Sequence, residues 1–541
     1  MNVLPAMTFL MLTLLLLALF SEIMMPVAAQ SRIIYIDVAN FGDPNENGSL
    51  EHPFDAIQEG VDAASSGDTV HVASGVYYEY VQIAKSLIAL VGELGTIIDG
   101  GGTRNGIRVG ALPPSYAENV SISGLIVRNC VKGIVLVRCR YACFRNVSMA
   151  GNMYNFADYS RQVNDIDVSN TVDGKPVYYW VKEHGEQVPS DAGFVALINC
   201  TNIVVRNLNL TKNGQGIVLK YTSNSLIQNV DVSDNWDGVY IDAWNSNNTI
   251  VDCNVTNNLY MGIYISASWQ NIVINNRVSK NNYGVYLDES SSANIIENNT
   301  ISANENGLYF YGESSYVTGN IIRANTVSNN AVGFSLWFSR DNIIYHNNFV
   351  NNSDQVSVFD SIDEWDYRSE GNYWSDYAGE DADSDGVGET PYLIDENNQD
   401  GYPLMGALSF FSYDWQDEAY YVLVLSNFSV LEFRFMRLEK TINLNVTGPD
   451  TALGFLNVSF PIVLLGGPYT VLADGSPLLS FIQSSNGTHT FFYFRCERGV
   501  RGINIIGTTA VPEFSSFWLM LFFAFLLVTI LVKFVGKRSY C

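Results

Sequence analysis

Gly216-Ile-Val-Leu, Gly238-Val-Tyr-Ile, Gly262-Ile-Tyr-Ile, Gly284-Val-Tyr-Leu, Gly307-Leu-Tyr-Phe and Gly333-Phe-Ser-Leu align on their glycines, which follow one another at 22, 24, 22, 23 and 26 residues. In each copy the residues one and three past the glycine are apolar, the period-2 pattern of a strand with one buried face. A second strand signal recurs between the glycines, in Asn271-Ile272-Val273-Ile274-Asn275, Asn294-Ile295-Ile296-Glu297-Asn298, Asn320-Ile321-Ile322 and Asn342-Ile343-Ile344. Asn213, Asn235, Asn281, Asn304 and Asn330 each stand three residues ahead of a repeat glycine. Asparagine tolerates left-handed backbone and bonds local amides, so these positions suit sharp turns. Short strands at this period, with no helical pattern inside it, predict an all-β chain built on a right-handed parallel β-helix. Its apolar positions stack into one core and its turn asparagines into ladders. The Leu-x-x-Leu-x-Leu pattern of a leucine-rich repeat is absent.

Earlier copies at Gly133-Ile-Val-Leu and Gly193-Phe-Val-Ala carry the repeat toward the N-terminus, and an insertion near 150–190 breaks the glycine register between them. A solenoid needs its open ends covered. Residues 30–80 read as an N-terminal cap, with Phe54, Ile57, Val61 and Ala64 at helical spacing and the first coils starting at Gly75-Val-Tyr-Tyr-Glu79. The repeats then occupy 81–377 and close near the aromatic cluster Gly371-Asn-Tyr-Trp-Ser-Asp-Tyr377. An Asp-rich loop and linker follow at 378–409. Apolar runs at 420–425, 455–460 and 489–494, separated by Gly, Pro and Asn, predict a small β-sandwich stalk over 410–510.

The chain has 541 residues, 29 basic and 55 acidic, for a formal charge of −26. A surface of that sign repels phosphate backbones, and no Lys/Arg stripe offsets it, so nucleic acid is excluded as a partner. The apolar run after Phe9 and the small residues before Gln30 read as a signal peptide, 1–29. A second apolar stretch, 515–535, is followed by Lys537 and Arg538 in the tail 536–541. This predicts a C-terminal transmembrane helix with the basic tail in the cytoplasm and everything before it outside. Thirteen Asn-x-Ser/Thr sequons, Asn209, Asn254, Asn298 and Asn445 among them, make an exported glycoprotein plausible.

The cap, the glycine repeats, Gly371-Asn-Tyr-Trp374 and the Asp-rich loop together resemble archaeal surface proteins with NosD-type right-handed parallel β-helix repeats. The resemblance covers roughly residues 33 to 405. Val511-Pro512-Glu513-Phe514, ahead of the apolar span, is similar to archaeal C-terminal sorting signals. NosD-type proteins belong with carbohydrate-binding proteins and sugar hydrolases on pectate-lyase-like folds, so the resemblance implies a single-stranded β-helix and a sugar-related role. It also raises copper delivery. Copper favours clusters of Cys, Met and His, whereas His52, His71, His184, His346 and His489 are scattered, so copper is unsupported by the residues. The catalytic motifs of polygalacturonases, pectin methylesterases and mannuronan epimerases are all absent. Glu183-His184-Gly185 is the nearest fragment and lacks partners.

The candidate binding residues lie on one column of the repeat. Two residues past the glycines come Tyr240, Tyr264, Tyr286 and Tyr309; four past them come Asp242, Ser266, Asp288, Tyr311 and Trp337. Stacked aromatics with polar margins suit a polysaccharide or surface glycan, since sugar C–H faces pack on rings while hydroxyls take hydrogen bonds. The competing reading is that the rings are good strand residues covering one another. Asp242 and Asp288, two coils apart, are the only carboxyl pair suggesting glycoside cleavage. Asp381-Ala-Asp-Ser-Asp-Gly-Val-Gly-Glu389 has the first half of a calcium loop. Asp381, Asp383, Asp385, the Val387 carbonyl and Glu389 would be ligands, with Asp395 closing the site. Position 12 is Tyr392 rather than a bidentate Glu, which rules out an EF-hand. The residues thus predict a membrane-anchored, calcium-bearing surface β-helix that binds glycan. A polysaccharide lyase or hydrolase with non-standard residues, or a structural surface-layer spacer, are the alternatives.

Overall fold

The computed structural model describes residues 31–511, apart from 384, 417, 449–453 and 497–501. The expected signal peptide (1–29), the sorting motif from Pro512 onward, the membrane-spanning stretch (515–535) and the tail (536–541) lie outside the described residues. Among the described residues, no helix is long and apolar enough to cross a membrane. The chain divides into two compact units. One runs to Val181 and adds Asp191–Ala196 and Lys212–Gly214; the other comprises Lys182–Ser190, Leu197–Thr211 and the chain from Gln215 onward.

In the first unit, helix α1 (Ile57–Ala63) buries Ile57 and Val61. Its first two amides, of Ile57 and Gln58, donate to the two carboxylate oxygens of Glu79 at 2.8 and 2.9 Å. At its other end the Lys85 ammonium donates to the carbonyls of Val61, Asp62 and Ala64 at 3.1, 2.6 and 2.8 Å. A short helix cannot satisfy its terminal groups itself, and here charges of the favourable sign do so at both ends. Coil stacking begins before the helix rather than at Gly75. Ile33–Ile36 pairs in parallel with Thr69–Val72, which pairs with Ala89–Asp99. The alternation that buries Ile34 and Ile36 is already that of a coil strand. The insertion breaks the glycine register without breaking the stack. Cys143–Arg145 pairs with Asp165–Ile166 and Ser148–Ala150 with Thr171–Val172, after which Lys175–Val181 folds back antiparallel.

The second unit is an all-β parallel solenoid that leads into a sandwich. One face is built from β1 (Asp237–Ile241), β2 (Met261–Ser266), β3 (Tyr283–Asp288), β4 (Asn306–Tyr311), β5 (Val332–Trp337) and β6 (Asp354–Phe359), each parallel to the next. Two further ladders of three-residue strands complete each coil, as in Thr249–Val251 on Ile272–Ile274 and Asn254–Thr256 on Arg277–Ser279. Val239, Ile263, Val285, Leu308 and Phe334 point inward beside Ile250, Val273, Ile296, Val255, Val278 and Ile301, all fully buried. Each such side chain contributes about 1.5–3 kcal/mol relative to its exposed state. The repeat glycines are required by space: a Cβ on Gly238, Gly262, Gly284 or Gly307 would collide with the carbonyl oxygen of the repeat glycine in the next coil.

The asparagines form three buried ladders. Asn235, Asn258, Asn281, Asn304, Asn330 and Asn352 make one, each Oδ1 accepting from the backbone amide of the preceding member at 2.9–3.1 Å. Asn248, Asn271, Asn294, Asn320 and Asn342 make the second, and Asn276, Asn299, Asn325, Asn347 and Asn372 the third. The left-handed residue of each turn is the one before the ladder asparagine. Asp234, Lys280, Ala303 and Asn329 have φ between 55° and 58°, whereas Asn235, Asn281, Asn304 and Asn330 do not have positive φ. The corner thus divides its tasks, the bend falling to one residue and the buried amide to the next.

The last coil is closed by Trp374, stacked between Phe349 at 4.5 Å and Tyr392 at 4.3 Å. Its indole N–H donates to Asp400 Oδ2 at 2.8 Å. Part of the expected linker therefore belongs to the cap: Tyr392–Leu393 pairs with Gln399–Asp400, and Asn398 Oδ1 accepts from the Asp363 amide. From Ala407 onward come two five-stranded antiparallel sheets. Val422, Val424, Leu456, Val458, Phe460 and Phe492 of one share a core with Ile442, Leu444, Val471, Ile503 and Ile505 of the other. Two antiparallel sheets on one core are the arrangement of a β-sandwich.

Candidate functional site

Register places Tyr240, Tyr264, Tyr286 and Tyr309 above one another on β1–β4, as the spacing predicts. A second outward column contains Ser266, Asp288, Tyr311, Trp337 and Phe359, with Asp242 just past the Ile241–Ile265 pair at its head. The rings make one continuous path that changes column at Tyr309. Centroid separations are 4.7 Å for Tyr240–Tyr264, 5.3 Å for Tyr264–Tyr286 and 4.8 Å for Tyr286–Tyr309. The path continues at 6.2 Å to Tyr311, 6.4 Å to Trp337 and 5.2 Å to Phe359.

The middle of this path is closed, contrary to the expected open strip. Tyr264 and Tyr286 are 6% and 8% exposed and Asp242 only 1%. Rings cover rings: Tyr283 lies 5.2 Å from Tyr286 and 4.7 Å from Tyr309, and Tyr260 lies 5.3 Å from Tyr283. The accessible part is the later end, where Tyr311 is half-buried, Trp337 is 38% exposed and Phe359 is 52% exposed. Phe359 escaped the sequence reading because Gln355 takes the place of the repeat glycine in β6, so the alignment stops one coil early.

Tyr264 Oη donates to Asp288 Oδ2 at 2.7 Å. Asp288 Oδ1 is buried and makes no hydrogen bond of its own. Burial pushes the Asp288 carboxyl up to about 6, although Ser266 and Tyr264 beside it favour the ionised form. Burial also raises the Tyr264 and Tyr286 hydroxyls, with neighbouring tyrosines and Asp288 adding to it, and takes Tyr309 to about 12. These phenols are donors at any physiological pH.

The Asp381 loop brings together oxygens of Asp381, Asp383 and Asp385 within 4.8 Å of one another. Asp381 Oδ1 and Oδ2 accept from the amides of Asp385 and Gly386 at 3.1 and 3.2 Å, and Gly386 bends at φ +93°. The other expected ligands make hydrogen bonds or bridges of their own. Glu389 accepts from the amides of Ala382 and Asp383, Val387 pairs with Leu404, and Asp395 caps its own turn through the amides of Asn397 and Asn398. Burial raises the Asp385 carboxyl, and the neighbouring charges of Asp383, Asp381 and Glu389 push the same way.

Residues 181–379 match the family described as periplasmic copper-binding protein (NosD). The solenoid is of the NosD type. A probable ABC transporter binding protein NosD of Pseudomonas aeruginosa is 41% identical over 80 residues, which are 14% of this chain and 19% of that one. The chain therefore spans less than a fifth of that curated relative. Among solved structures, the periplasmic alginate epimerase AlgG matches at 14% identity and TM-score 0.30, covering 56% of this chain and 68% of that one. Pectate lyase Pel9A matches at 14% identity and TM-score 0.22, covering 66% and 83%. Likeness at those scores carries no argument about activity or substrate.

The donor set of this NosD-type solenoid does not suit copper. Among the described residues, the groups of three or more potential ligands are all carboxylate: Glu46, Asp55 and Glu59, and Asp381, Asp383 and Asp385. Those are hard donors, whereas copper(I) takes soft sulfur and imidazole. Burial pushes the thiols of Cys130 and Cys253 up to about 11, away from the thiolate a metal needs. His52 and His346 are engaged with Asp43 and Glu370, each at 2.8 Å.

Proposed function

We propose that this is an exported, NosD-type β-helix protein of the cell envelope that binds glycan at the open end of its aromatic path. The observation that carries this reading is the run Tyr311, Trp337 and Phe359, three rings in contact and increasingly exposed toward Phe359. Exposed aromatics on a rigid sheet present flat apolar faces at low entropic cost, which is what a sugar ring stacks on. The closed tyrosines beneath hold the platform rigid. The apolar stretch 515–535 would anchor the chain with this face outside. Calcium at Asp381, Asp383 and Asp385 belongs to the same proposal as a structural ion.

Cleavage is less well supported. A hydrolase needs both carboxyls open to the scissile bond. Asp242 is buried, and Tyr264 occupies one oxygen of Asp288. The test is a glycan array probed with the full chain beside Trp337→Ala. We expect binding to at least one glycan class and a loss of tenfold or more in the variant, because truncating an exposed ring leaves the solenoid intact. Binding that survives Trp337→Ala would place the site elsewhere, and an empty array would overturn the reading.

A further inference from the structure

We propose that the glycan recognised at this face carries free amino groups, as in a glucosamine polymer, and that the face discriminates against acetylated and uronate sugars. This rests on the glycan-binding reading and names the class within it. The first argument is charge. Across the six strands and the residues flanking them, 237–242, 261–266, 283–289, 305–311, 332–337 and 354–360, the sequence has Asp237, Asp242, Asp288, Glu289, Glu305, Asp354 and Asp360 and no Lys, Arg or His. Outside those ranges, Lys220 ends the strand Gln215–Lys220 that pairs with β1 at the closed end of the path, and at the open end Arg340 lies 3.4 Å from the centroid of Tyr316, whose hydroxyl donates to Asp360 Oδ2 at 3.4 Å.

The second argument is placement. Three carboxylates border the accessible rings. Asp288 pairs in register with Tyr311, Glu289 follows it and donates its amide to the Tyr311 carbonyl, and Asp360 follows Phe359. An ammonium over a ring face, with a carboxylate at the ring edge, gains from both the quadrupole and the charge, about 0.5–2 kcal/mol from the ring alone. A uronate brings its carboxylate against like charge, and an acetylated sugar brings no charge at all.

The experiment is titration calorimetry of the full chain at pH 7 with three hexamers: glucosamine, N-acetylglucosamine and mannuronate. We expect the glucosamine hexamer to bind at least tenfold tighter than either other, with an affinity that falls as salt rises. Asp288→Asn and, as an exposed second variant, Glu289→Gln should each reduce that preference at least threefold. Trp337→Ala should weaken all binding without changing the order. Equal or tighter binding of the acetylated or uronate hexamer would overturn the amino-sugar assignment while leaving glycan binding in place. Failure of all three hexamers beside an empty array would overturn the underlying reading instead.

Discussion

Asp288 is ionisable, largely enclosed and only partly satisfied, which ties stability to pH. Its carboxyl stands at about 6 in the folded chain against an ordinary value of 3.8. Between those values the folded state binds more protons than the unfolded state, so stability is lost as pH rises through the window. The shift of about two units corresponds to at most about 3 kcal/mol. Asp400, also raised by burial to about 6, pulls in the same direction. Urea unfolding at pH 4 and pH 7 should therefore show a smaller decline in Asp288→Asn than in the parent chain, leaving the share of Asp400 and of Asp363 and Glu79, which burial also raises. An unchanged decline in the variant would mean that Asp288 is solvated in solution. At this scale the sequence was a partial guide. The period-2 pattern told which tyrosines point away from the core, but not that Tyr260 and Tyr283 would pack over them. Burial between non-repeating residues has no periodicity to betray it.

Among elements, the ladders and the repeat glycines set the solenoid's tolerance to change. Asn281 Oδ1 accepts from both the backbone amide and the side-chain amide of Asn258, and its own Nδ2 bonds Asn304 and the Val255 carbonyl. Asn281→Ala strands several of these groups in a dry interior at about 1–3 kcal/mol for each left unsatisfied. We expect a loss of at least about 3 kcal/mol by chemical denaturation, and a loss below 1 kcal/mol would mean that water replaces the amide. Here the sequence was most legible: the glycine spacing located β1–β5, and the asparagines three residues ahead located the first ladder. The division of each corner between a left-handed residue and a buried one was not legible, because Asp234, Lys280 and Ala303 share no side-chain chemistry. Only the backbone conformation is common to them.

At the scale of the whole molecule, the end of the solenoid is tied to the sandwich by few but specific contacts. Asn348 exchanges two 2.8 Å hydrogen bonds with the backbone of Leu408, and Asn457 donates to the Asp385 carbonyl at 3.2 Å. Val387 packs with Leu408, Leu425 and Phe455. An ion held by Asp381, Asp383 and Asp385 would brace that joint. Calcium at a hundred times its Kd should add about 2.7 kcal/mol to whichever unfolding step opens the loop. Calorimetry with calcium and with EDTA checks this, and coincident traces would remove calcium from the account. The ladders have a larger consequence. Every side-chain amide in them points the same way, its Oδ1 accepting from the earlier coil and one of its two N–H groups donating to the later coil while the other donates to a backbone carbonyl of the earlier one, so their bond dipoles add along the stack much as peptide dipoles do along an α-helix. The positive pole falls at the last coil, and each row ends there on a carboxylate: Asn342 on Asp363, Asn372 on Asp400, and Asn352, through Gln355, on Asp376. The solenoid thus has an electrical polarity, and its C-terminal pole is neutralised in the way an acidic N-cap finishes a helix, leaving no open row of donors on which another chain could continue the stack.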